Sequence, residues 1–245
     1  VMRLIQITDS HLYADKQARS RAGIPWQQFQ RVLEAVITER PDVVVFTGDI
    51  SQDETAASYA LACEALSALP CPWFWIAGNH DQPELMAAEH PLLEEVDLEQ
   101  WRLLLLNTQV VGKPHGELGS EALSALAERL EQDDRPTLIA MHHPPVDVGA
   151  AWMDAIGLQD RDAFWQLLSA YPQVKMILFG HAHQAYAQHH QAAGTDIGVY
   201  GCPAMADQFL PGAEQFAIDE ASRPGYRVVD FNAHEWQTWI ERVVV

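Results

Sequence analysis

Cysteine, long hydrophobic runs and positive charge are all scarce in this sequence of 245 residues. The three cysteines, Cys63, Cys71 and Cys202, form an odd set without zinc-type spacing, which favours reduced thiols in a cytoplasmic protein. The sequence has no apolar run of about 18 residues, the length that spans a bilayer, and its N-terminus has no basic segment followed by an apolar one. We therefore expect a cytoplasmic protein with neither a membrane span nor a secretion signal.

Negative charge dominates the composition. Asp and Glu number 34 against 15 Lys and Arg, so the formal net charge is −19, and no Lys or Arg occurs between Pro41 and Trp101. Such a surface repels the phosphate backbone of nucleic acids and the anionic face of membranes. The composition therefore disfavours long nucleic acids and membranes as partners. A small anionic substrate is acceptable if bound cations supply positive charge locally.

The hydrophobic pattern indicates an α/β protein whose first two-thirds alternate strands with helices and whose end is rich in strands. The predicted strands are residues 4–8, 43–47, 73–77, 103–106, 138–141, 176–179, 197–200, 216–218, 226–231 and 236–244. The predicted helices are residues 26–40, 54–69, 121–131 and 160–170. Because no repeat or low-complexity linker interrupts the pattern, we expect one domain over residues 1–245, with two sheets packed face to face and flanked by helices.

Five short polar motifs stand out, and most of them directly follow a predicted strand. They are Asp9-Ser10-His11, Gly48-Asp49, Gly78-Asn79-His80-Asp81, His142-His143 and Gly180-His181-Ala182-His183. Side chains at the carboxyl ends of strands meet at one edge of an α/β sheet. Imidazole and carboxylate groups are common ligands of first-row transition metals. The motifs, in this order, therefore predict a metal centre.

The spacing of the candidate ligands supports this interpretation. Asp9 and His11 are two residues apart at a strand end, so both side chains can point to the same side. His181 and His183 repeat that spacing at another strand end. A carboxylate such as that of Asp49 has one oxygen for each of two cations. The candidate ligands are Asp9, His11, Asp49, Asn79, His142, His181 and His183.

These motifs resemble those of the calcineurin-like metallophosphoesterase superfamily and, within it, those of the bacterial class III 3′,5′-cyclic-AMP phosphodiesterases. The similarity extends over nearly the whole chain, through the segments LIQITDSHL, FTGDISQD, IAGNHD, LLLLNTQVVGKPHGELG, MHHPP and FGHAHQ. It implies a four-layer α/β/β/α sandwich with two mixed sheets flanked by helices. It also implies a binuclear metal centre.

The resemblance assigns a role to each motif residue. One metal would be held by Asp9, His11, Asp49 and His183, and the other by Asp49, Asn79, His142 and His181, with Asp49 as the bridge. His143 would stand behind the ligands, unless it exchanges places with His142. Asn79 and His80 would be catalytic, and the residues against the substrate would be His11, Asn79, His80 and His183.

The activity that the resemblance implies is hydrolysis of 3′,5′-cyclic AMP to 5′-AMP. Two divalent cations about 3.5 to 4 Å apart can hold a phosphate and supply a hydroxide for in-line attack at neutral pH. His80, if protonated, can stabilise the leaving 3′ oxygen or donate a proton to it. Because imidazoles dominate the ligand set and no thiolate contributes, the expected metals are Mn, Fe, Zn or Co.

Charge favours a diester substrate over a monoester. Two divalent cations, two aspartates and a bridging hydroxide leave a small positive charge, which a singly charged phosphodiester neutralises. Related protein phosphatases meet a dianionic monoester with arginines close to these motifs. No arginine follows Asp49 or adjoins Asn79 in this sequence, although one could come from elsewhere in the fold.

Two features leave the details of the site open. Gln52 stands where relatives have an acid that orients the active-site histidine, so Asp53 or Asp81 becomes the candidate for holding His80. The apolar, weakly patterned segment 144–159 follows a candidate ligand directly. It is either a lid or pocket wall, or an ordinary surface helix with its loop.

Two other functions fit the same motifs. A broader phosphodiesterase would act on glycerophosphodiesters or 2′,3′-cyclic nucleotides, and the nucleobase pocket would separate it from the first function. His115, in the HGEL segment, either lines that pocket or is an ordinary loop histidine. A non-catalytic metal-binding scaffold is the third function, but such proteins typically lose ligands, and every expected ligand is present here. The sequence gives no indication of the oligomeric state.

Overall fold

The computed structural model describes residues 1–192 and 194–245 of the chain. The helices are α1 (Pro25–Thr38), α2 (Ala56–Leu66), α3 (Pro83–Glu89), α4 (Gly119–Gln132), α5 (Ala151–Asp154) and α6 (Arg161–Leu168). The strands are β1 (Met2–Ile7), β2 (Val43–Phe46), β3 (Trp73–Trp75), β4 (Glu95–Leu98), β5 (Trp101–Leu105), β6 (Thr137–Met141), β7 (Val174–Phe179), β8 (Tyr186–Ala192), β9 (Thr195–Gly201), β10 (Gly225–Phe231) and β11 (Trp236–Arg242).

Within the described residues, the strands form two mixed sheets. The first sheet has five strands in the order β11-β10-β1-β2-β3, and the second has six in the order β4-β5-β6-β7-β9-β8. Strands β1, β2 and β3 pair in parallel, as do β5, β6, β7 and β9. The remaining strands pair antiparallel with their neighbours. The predicted α/β architecture with two mixed sheets is confirmed.

The inner faces of the two sheets share one hydrophobic core. Leu4 and Val45 of the first sheet belong to the same buried cluster as Leu103, Leu138 and Leu178 of the second. The outer face of the first sheet packs against α1 and α2, and that of the second packs against α4 and α6. Every residue of β2 and β6 is buried, because these central strands are covered on both faces. The layers therefore run α/β/β/α, as predicted.

The first two helices begin where the sequence supplies a start signal. α1 starts at Pro25, where the missing N–H of proline loses no intrahelical hydrogen bond, and it buries Phe29 and Val32 on one face. α2 starts after Thr55, whose hydroxyl oxygen accepts a hydrogen bond from the Ser58 N–H at 3.2 Å. Both helices lie within a few residues of the predicted ranges 26–40 and 54–69.

Some of the predicted elements differ from the structure. The predicted strand at 216–218 is wrong: the described residues there form only an isolated bridge between Phe209 and Ile218, and Phe216 is 42% exposed. The edge strands β4 and β8 were missed, because β4 is only four residues long and β8 is mostly polar. The short helix α3 was missed as well, whereas α5 lies in the segment 144–159, where a surface helix was one of the two expectations. None of the described helices has the length and apolar character needed to cross a bilayer.

Candidate active site

The ends of five strands converge between the two sheets. Asp9 follows β1, Asp49 follows β2 and Asn79 follows β3, all in the first sheet. His142 and His181 follow β6 and β7 of the second sheet. Loops at the carboxyl ends of parallel strands are the usual location of ligand sites in α/β folds. The fold therefore presents residues that are far apart in the sequence to one common space.

Five of the candidate ligands have a left-handed backbone conformation. The φ angles are 56° at Asp9, 45° at His11, 52° at Asp49, 68° at His181 and 48° at His183. For a residue with a Cβ atom this conformation is unfavourable by roughly 1–2 kcal/mol. Backbone strain of this kind concentrates at functional sites, where the surrounding structure enforces it. Its repetition at one cluster indicates a site whose geometry serves a ligand.

Two positions in the motif loops require glycine, because neighbouring atoms lie where a Cβ atom would be. A Cβ atom at Gly78 would overlap the Asp49 carboxylate, and one at Gly180 would overlap the Thr8 hydroxyl and crowd Asp9 Oδ2. These contacts explain why the Asn79 and His181 motifs both open with glycine.

Asp9, His11 and His183 form the first donor cluster. Asp9 Oδ1 lies 3.0 Å from His183 Nε2 and 3.4 Å from His11 Nε2, and the two histidine nitrogens are 3.1 Å apart. The other carboxylate oxygen, Asp9 Oδ2, accepts hydrogen bonds from the Thr8 hydroxyl at 2.6 Å and from the His181 N–H at 3.0 Å. Oδ1 is therefore the oxygen that faces the two histidines.

Asp49, His142 and His181 form the second donor cluster. His142 Nε2 lies 3.2 Å from Asp49 Oδ2 and 3.3 Å from His181 Nδ1. The same nitrogen lies 3.1 Å from Asn79 Oδ1, which places the amide oxygen beside this cluster. Asp49 Oδ2 is also 3.7 Å from His11 Nε2 of the first donor cluster. One carboxylate oxygen thus stands between the two clusters, where a bridging ligand has to be.

Backbone carbonyl groups orient three of the four histidines. His142 Nδ1 lies 2.7 Å from the Thr47 carbonyl oxygen, and His183 Nδ1 lies 2.7 Å from that of Asp207. His181 is held through its other nitrogen, Nε2, which lies 3.0 Å from a carbonyl oxygen in the segment 144–159. A carbonyl oxygen can only accept, so each of these ring nitrogens carries the hydrogen. The opposite nitrogen of each ring therefore turns its lone pair toward the clusters.

Gln52 orients the fourth histidine. Its Oε1 atom lies 2.8 Å from His11 Nδ1, which leaves His11 Nε2 facing Asp9 and Asp49. Metal-binding histidines usually donate their second ring N–H to an oxygen in this way, and the contact fixes the ring and raises its basicity. The donor set therefore fits divalent cations. Lone pairs of carboxylate, amide and imidazole groups lie so close together that they repel one another unless a cation or a proton lies between them.

Protons are held at the same positions when no cation is bound. Burial disfavours the charged imidazole of His11, but its contacts with Asp9 and Asp49 outweigh burial and raise its pKa to about 9. For His142, burial is likewise outweighed by the charge of Asp49, and the pKa rises to about 10. Burial and the neighbouring charge of His142 lower the pKa of His181 to about 3. His11 and His142 therefore hold protons at neutral pH in the metal-free site.

The metal-free protein is expected to lose stability as the pH rises from about 7 to about 10. The pKa values of His11 and His142 stand near 9 and 10 in the fold, above the value of 6.5 for a free imidazole. A raised pKa gives a contribution to stability that is complete below pH 6.5 and is lost as the pH passes through the folded values. Denaturant unfolding of chelator-treated protein across this range measures the loss.

Asp49→Asn is the control for this pH dependence. Asp9 and Asp49 both raise the two pKa values, and the substitution removes the charge of Asp49, so the decline in unfolding free energy between pH 7 and 10 should become shallower. An unchanged slope in the variant, or a native metal-free protein whose stability is flat across the range, would contradict this account of the site.

His80 lies at the cavity side of the two donor clusters. Its backbone N–H donates to Asp49 Oδ1 at 2.9 Å, and its ring is 5.2 Å from the ring of His11. Burial lowers the pKa of His80 below the ordinary histidine value. The ring is therefore neutral at pH 7 in the ligand-free protein, and it carries one N–H that can donate.

Neither aspartate that the sequence suggested as a support for His80 contacts its ring in the described part of the chain. Asp81 accepts hydrogen bonds from the Gly78 and Ser51 N–H groups and from the Tyr59 hydroxyl, and so ties the turn of the motif to the loop after β2. Asp53 accepts from the Ala14 N–H at 2.9 Å. Both stabilise loops and not the histidine ring, because their carboxylates are already committed to backbone donors.

His143 is excluded from the clusters by its own hydrogen bonds. Its Nδ1 atom lies 2.7 Å from the Thr108 hydroxyl and its Nε2 atom lies 2.9 Å from the Pro114 carbonyl oxygen. Burial, together with the charges of His181 and His142, keeps its pKa well below the usual range. Both ring nitrogens are therefore occupied, which agrees with a place behind the ligands.

The donor clusters open into a cavity of about 660 Å³. All four residues predicted to face the substrate line it: His11, Asn79, His80 and His183. Trp152, Met153 and Ile156 line it too, so part of the segment 144–159 forms a wall of the cavity. From the HGEL region the described lining residue is Pro114, and His115 does not take part. The volume falls within the range of about 300–1,000 Å³ that small-ligand sites occupy.

Two arginines outside the motifs reach the cavity. Arg19 and Arg21 lie in the loop between β1 and α1, and both line the cavity. The charge argument against a monoester allowed for an arginine from elsewhere in the fold, and Arg19 and Arg21 are two such side chains. Only proximity in space, not in sequence, reveals them.

Comparison with known proteins places the chain among phosphoesterases. The sequence model described as calcineurin-like phosphoesterase matches residues 2–185. The 3′,5′-cyclic adenosine monophosphate phosphodiesterase CpdA of Vibrio vulnificus (strain CMCP6) is 38% identical and covers 99% of this chain and 90% of its own length. The protein of the same name from Pseudomonas aeruginosa is 36% identical over 91% of this chain and 83% of its own length.

Solved structures agree with the fold. A dimetal phosphatase from Danio rerio superposes with a TM-score of 0.70 at 14% identity, covering 97% of this chain and 98% of that protein. The purple acid phosphatase PPD1 from yellow lupin superposes with a TM-score of 0.65 at 15% identity, covering 98% of this chain and 51% of that protein. At such low identities the superpositions support the architecture alone.

Proposed function

Since the chain belongs to the calcineurin-like phosphoesterase family, we propose that it is a binuclear metal-dependent phosphodiesterase that hydrolyses 3′,5′-cyclic AMP to 5′-AMP. The observation that carries the proposal is the pair of donor clusters that share Asp49 and open into a ligand-sized cavity. The relatives named as cyclic-AMP phosphodiesterases support the choice of substrate, because they match almost the entire chain.

The proposed metal ligands are those that the sequence suggested. The first donor cluster with Asp49 would hold one cation, and the second donor cluster with Asn79 would hold the other. When bound there, divalent cations would polarise the phosphodiester and make a water molecule acidic enough to attack at neutral pH. The imidazole-rich donor set favours Mn, Fe, Zn or Co over Mg or Ca.

The chain's own residues have separate tasks in this proposal. A neutral His80 donates its ring N–H to the leaving 3′ oxygen or to a phosphoryl oxygen, and so stabilises the charge that develops as the ring of the cyclic phosphate opens. The backbone contact between His80 and Asp49 keeps this donor next to the shared carboxylate. Asn79, in the same turn, brings an amide to the cavity wall.

A substrate panel on enzyme of defined metal content tests the proposal. We expect 3′,5′-cyclic AMP with Mn²⁺ to be hydrolysed with a higher kcat/KM than glycerophosphodiesters or 2′,3′-cyclic nucleotides, and chelator-treated protein to be inactive. Elemental analysis of the same sample counts the metals per chain. Faster turnover of the linear or 2′,3′-cyclic substrates would assign the broader phosphodiesterase instead. A fully loaded protein that hydrolyses no phosphate ester would be the non-catalytic scaffold.

The proposal includes a single metallophosphoesterase domain over residues 1–245, because both sheets contribute to one inter-sheet core. It also includes a cytoplasmic location. The free state of Cys63, Cys71 and Cys202 supports this, since disulfides are rare in reducing compartments.

A further inference from the structure

Three aromatic side chains form one wall of the cavity. Trp152, Phe209 and Phe216 line it, and their rings meet edge to face in pairs. The centroid distances are 5.1 Å for Trp152 with Phe209, 5.2 Å for Trp152 with Phe216, and 5.3 Å for Phe209 with Phe216. Nothing in the chemistry at phosphorus requires three aromatic rings, so the wall has a different use.

The aromatic wall begins at the donor clusters. The ring of Phe209 lies parallel to that of His183, with 3.8 Å between centroids and an interplanar angle of 3°. The Phe209 N–H also donates to the His183 carbonyl oxygen at 3.0 Å. The three rings are therefore within reach of a molecule whose phosphate lies at the first donor cluster.

Phe216 is placed to meet a ligand. Among the described residues it is the most exposed Phe, Tyr or Trp side chain, at 42%. The Arg21 guanidinium lies over its ring, 4.6 Å from the centroid, within cation–π range. Asp207 holds the arginine's loop, because its carboxylate accepts from the Arg21 N–H at 3.1 Å and from the Ser20 hydroxyl at 2.6 Å.

Trp152 supplies a donor that has no acceptor. Its indole Nε1–H is buried and lacks a hydrogen-bond partner in the described structure. A buried donor without a partner is unfavourable, and native proteins seldom keep one without a reason. A ligand that enters between the rings and carries an acceptor nitrogen would satisfy it.

We propose that Trp152, Phe209 and Phe216, with Arg21 over Phe216, form the subsite that receives the nucleobase, and that this subsite gives the enzyme its preference for purine cyclic nucleotides. The inference rests on the proposed phosphodiesterase function. A planar purine stacks on exposed aromatic rings, and its ring nitrogens accept from the Trp152 N–H. The acidic surface elsewhere makes Arg21 a local attraction for the anionic nucleotide.

Phe216→Ala is the direct test, because an exposed side chain can be removed without opening the core. We expect the KM for 3′,5′-cyclic AMP to rise by about 5- to 100-fold, the range that loss of one stacking partner produces. The comparison substrate is the base-free methyl riboside 3′,5′-cyclic phosphate, followed by phosphorus NMR. The ratio of kcat/KM for cyclic AMP to that for the base-free substrate should fall by a similar factor.

Three further variants sharpen the test. Phe216→Tyr keeps a ring and should retain most of the affinity for cyclic AMP. Trp152→Phe keeps a ring but removes the donor, and should raise the KM by about three- to tenfold. Val111→Ala removes a side chain that is 88% exposed on another loop, and should leave both substrates unaffected. Calorimetric titration with 5′-AMP gives the same ranking without turnover.

The outcomes separate this inference from the proposed function. If the native enzyme hydrolyses cyclic AMP but Phe216→Ala leaves the substrate ratio unchanged, the nucleobase subsite is refuted while the function stands. An equal loss for both substrates would mean a structural role for Phe216 and would also refute the subsite. If the native enzyme does not hydrolyse cyclic AMP at all, the proposed function is itself refuted, whatever the variants show.

Discussion

Asp49→Asn is expected to lower kcat/KM for cyclic AMP by at least about a thousandfold, because several kcal/mol of transition-state stabilisation depend on the metal centre. The Asp49 Oδ2 atom lies 3.2 Å from His142 Nε2 and 3.7 Å from His11 Nε2, so it stands beside both donor clusters. An amide in its place keeps the size of the side chain but removes the negative charge. Elemental analysis should find fewer than two metals per chain in the variant.

Asp53→Asn is the matched control for this prediction. The same change is made four residues along the chain, at a carboxylate that accepts from the Ala14 N–H and does not face the clusters. It should keep both metals and nearly all activity. If Asp49→Asn retained two metals and activity within tenfold of native, Asp49 would not be the bridge.

His80→Ala is expected to keep both metals and to lose about a hundred- to ten-thousandfold in kcat, the usual contribution of a positioned proton donor. His80 lies in the cavity wall, and its hydrogen bond to Asp49 is made by its backbone N–H, which the substitution keeps. Metal content and kcat measured on the same sample test both halves of the prediction. Loss of metal with normal activity per bound metal would make His80 a ligand instead.

The leaving group gives a second readout for His80. A donor to the leaving oxygen matters less when that oxygen is weakly basic, so a nitrophenyl phosphodiester should suffer a smaller loss in His80→Ala than cyclic AMP does. His189→Ala is the control, since the His189 side chain is exposed and pairs with Asp196 at the surface. Equal losses on both substrates would place His80 in substrate positioning and not at the leaving group.

The candidate ligands could be found from the sequence because their chemistry is local. Asp9 and His11, or His181 and His183, lie two residues apart after an apolar run, and such pairs remain visible whatever the rest of the chain does. The same is true of Asn79, whose motif opens with a glycine that the Asp49 carboxylate makes necessary. Their assembly into two clusters agrees with the prediction, and their roles as ligands are tested by the variants above.

The partners of these residues could not be found in the same way. Every residue has a carbonyl group, so nothing marks those of Thr47 or Asp207 as the acceptors that fix a histidine tautomer. Gln52 was associated with His80, but the turn after β2 carries it to His11, 2.8 Å away. Which histidine a neighbouring side chain reaches depends on the direction of the backbone in a loop that includes a left-handed residue, Asp49.

The sequence by itself indicated two sheets flanked by helices, the family and the candidate metal ligands, because apolar periodicity and ligand motifs are short-range properties of the chain. Tertiary structure alone decided which oxygen of Asp49 both clusters share, which loop brings Arg21 to the cavity, and that Phe216 faces solvent and not a sheet. These features arise from contacts between segments far apart in the chain. No local pattern encodes such a contact, since its partners are chosen by the packing of the two sheets.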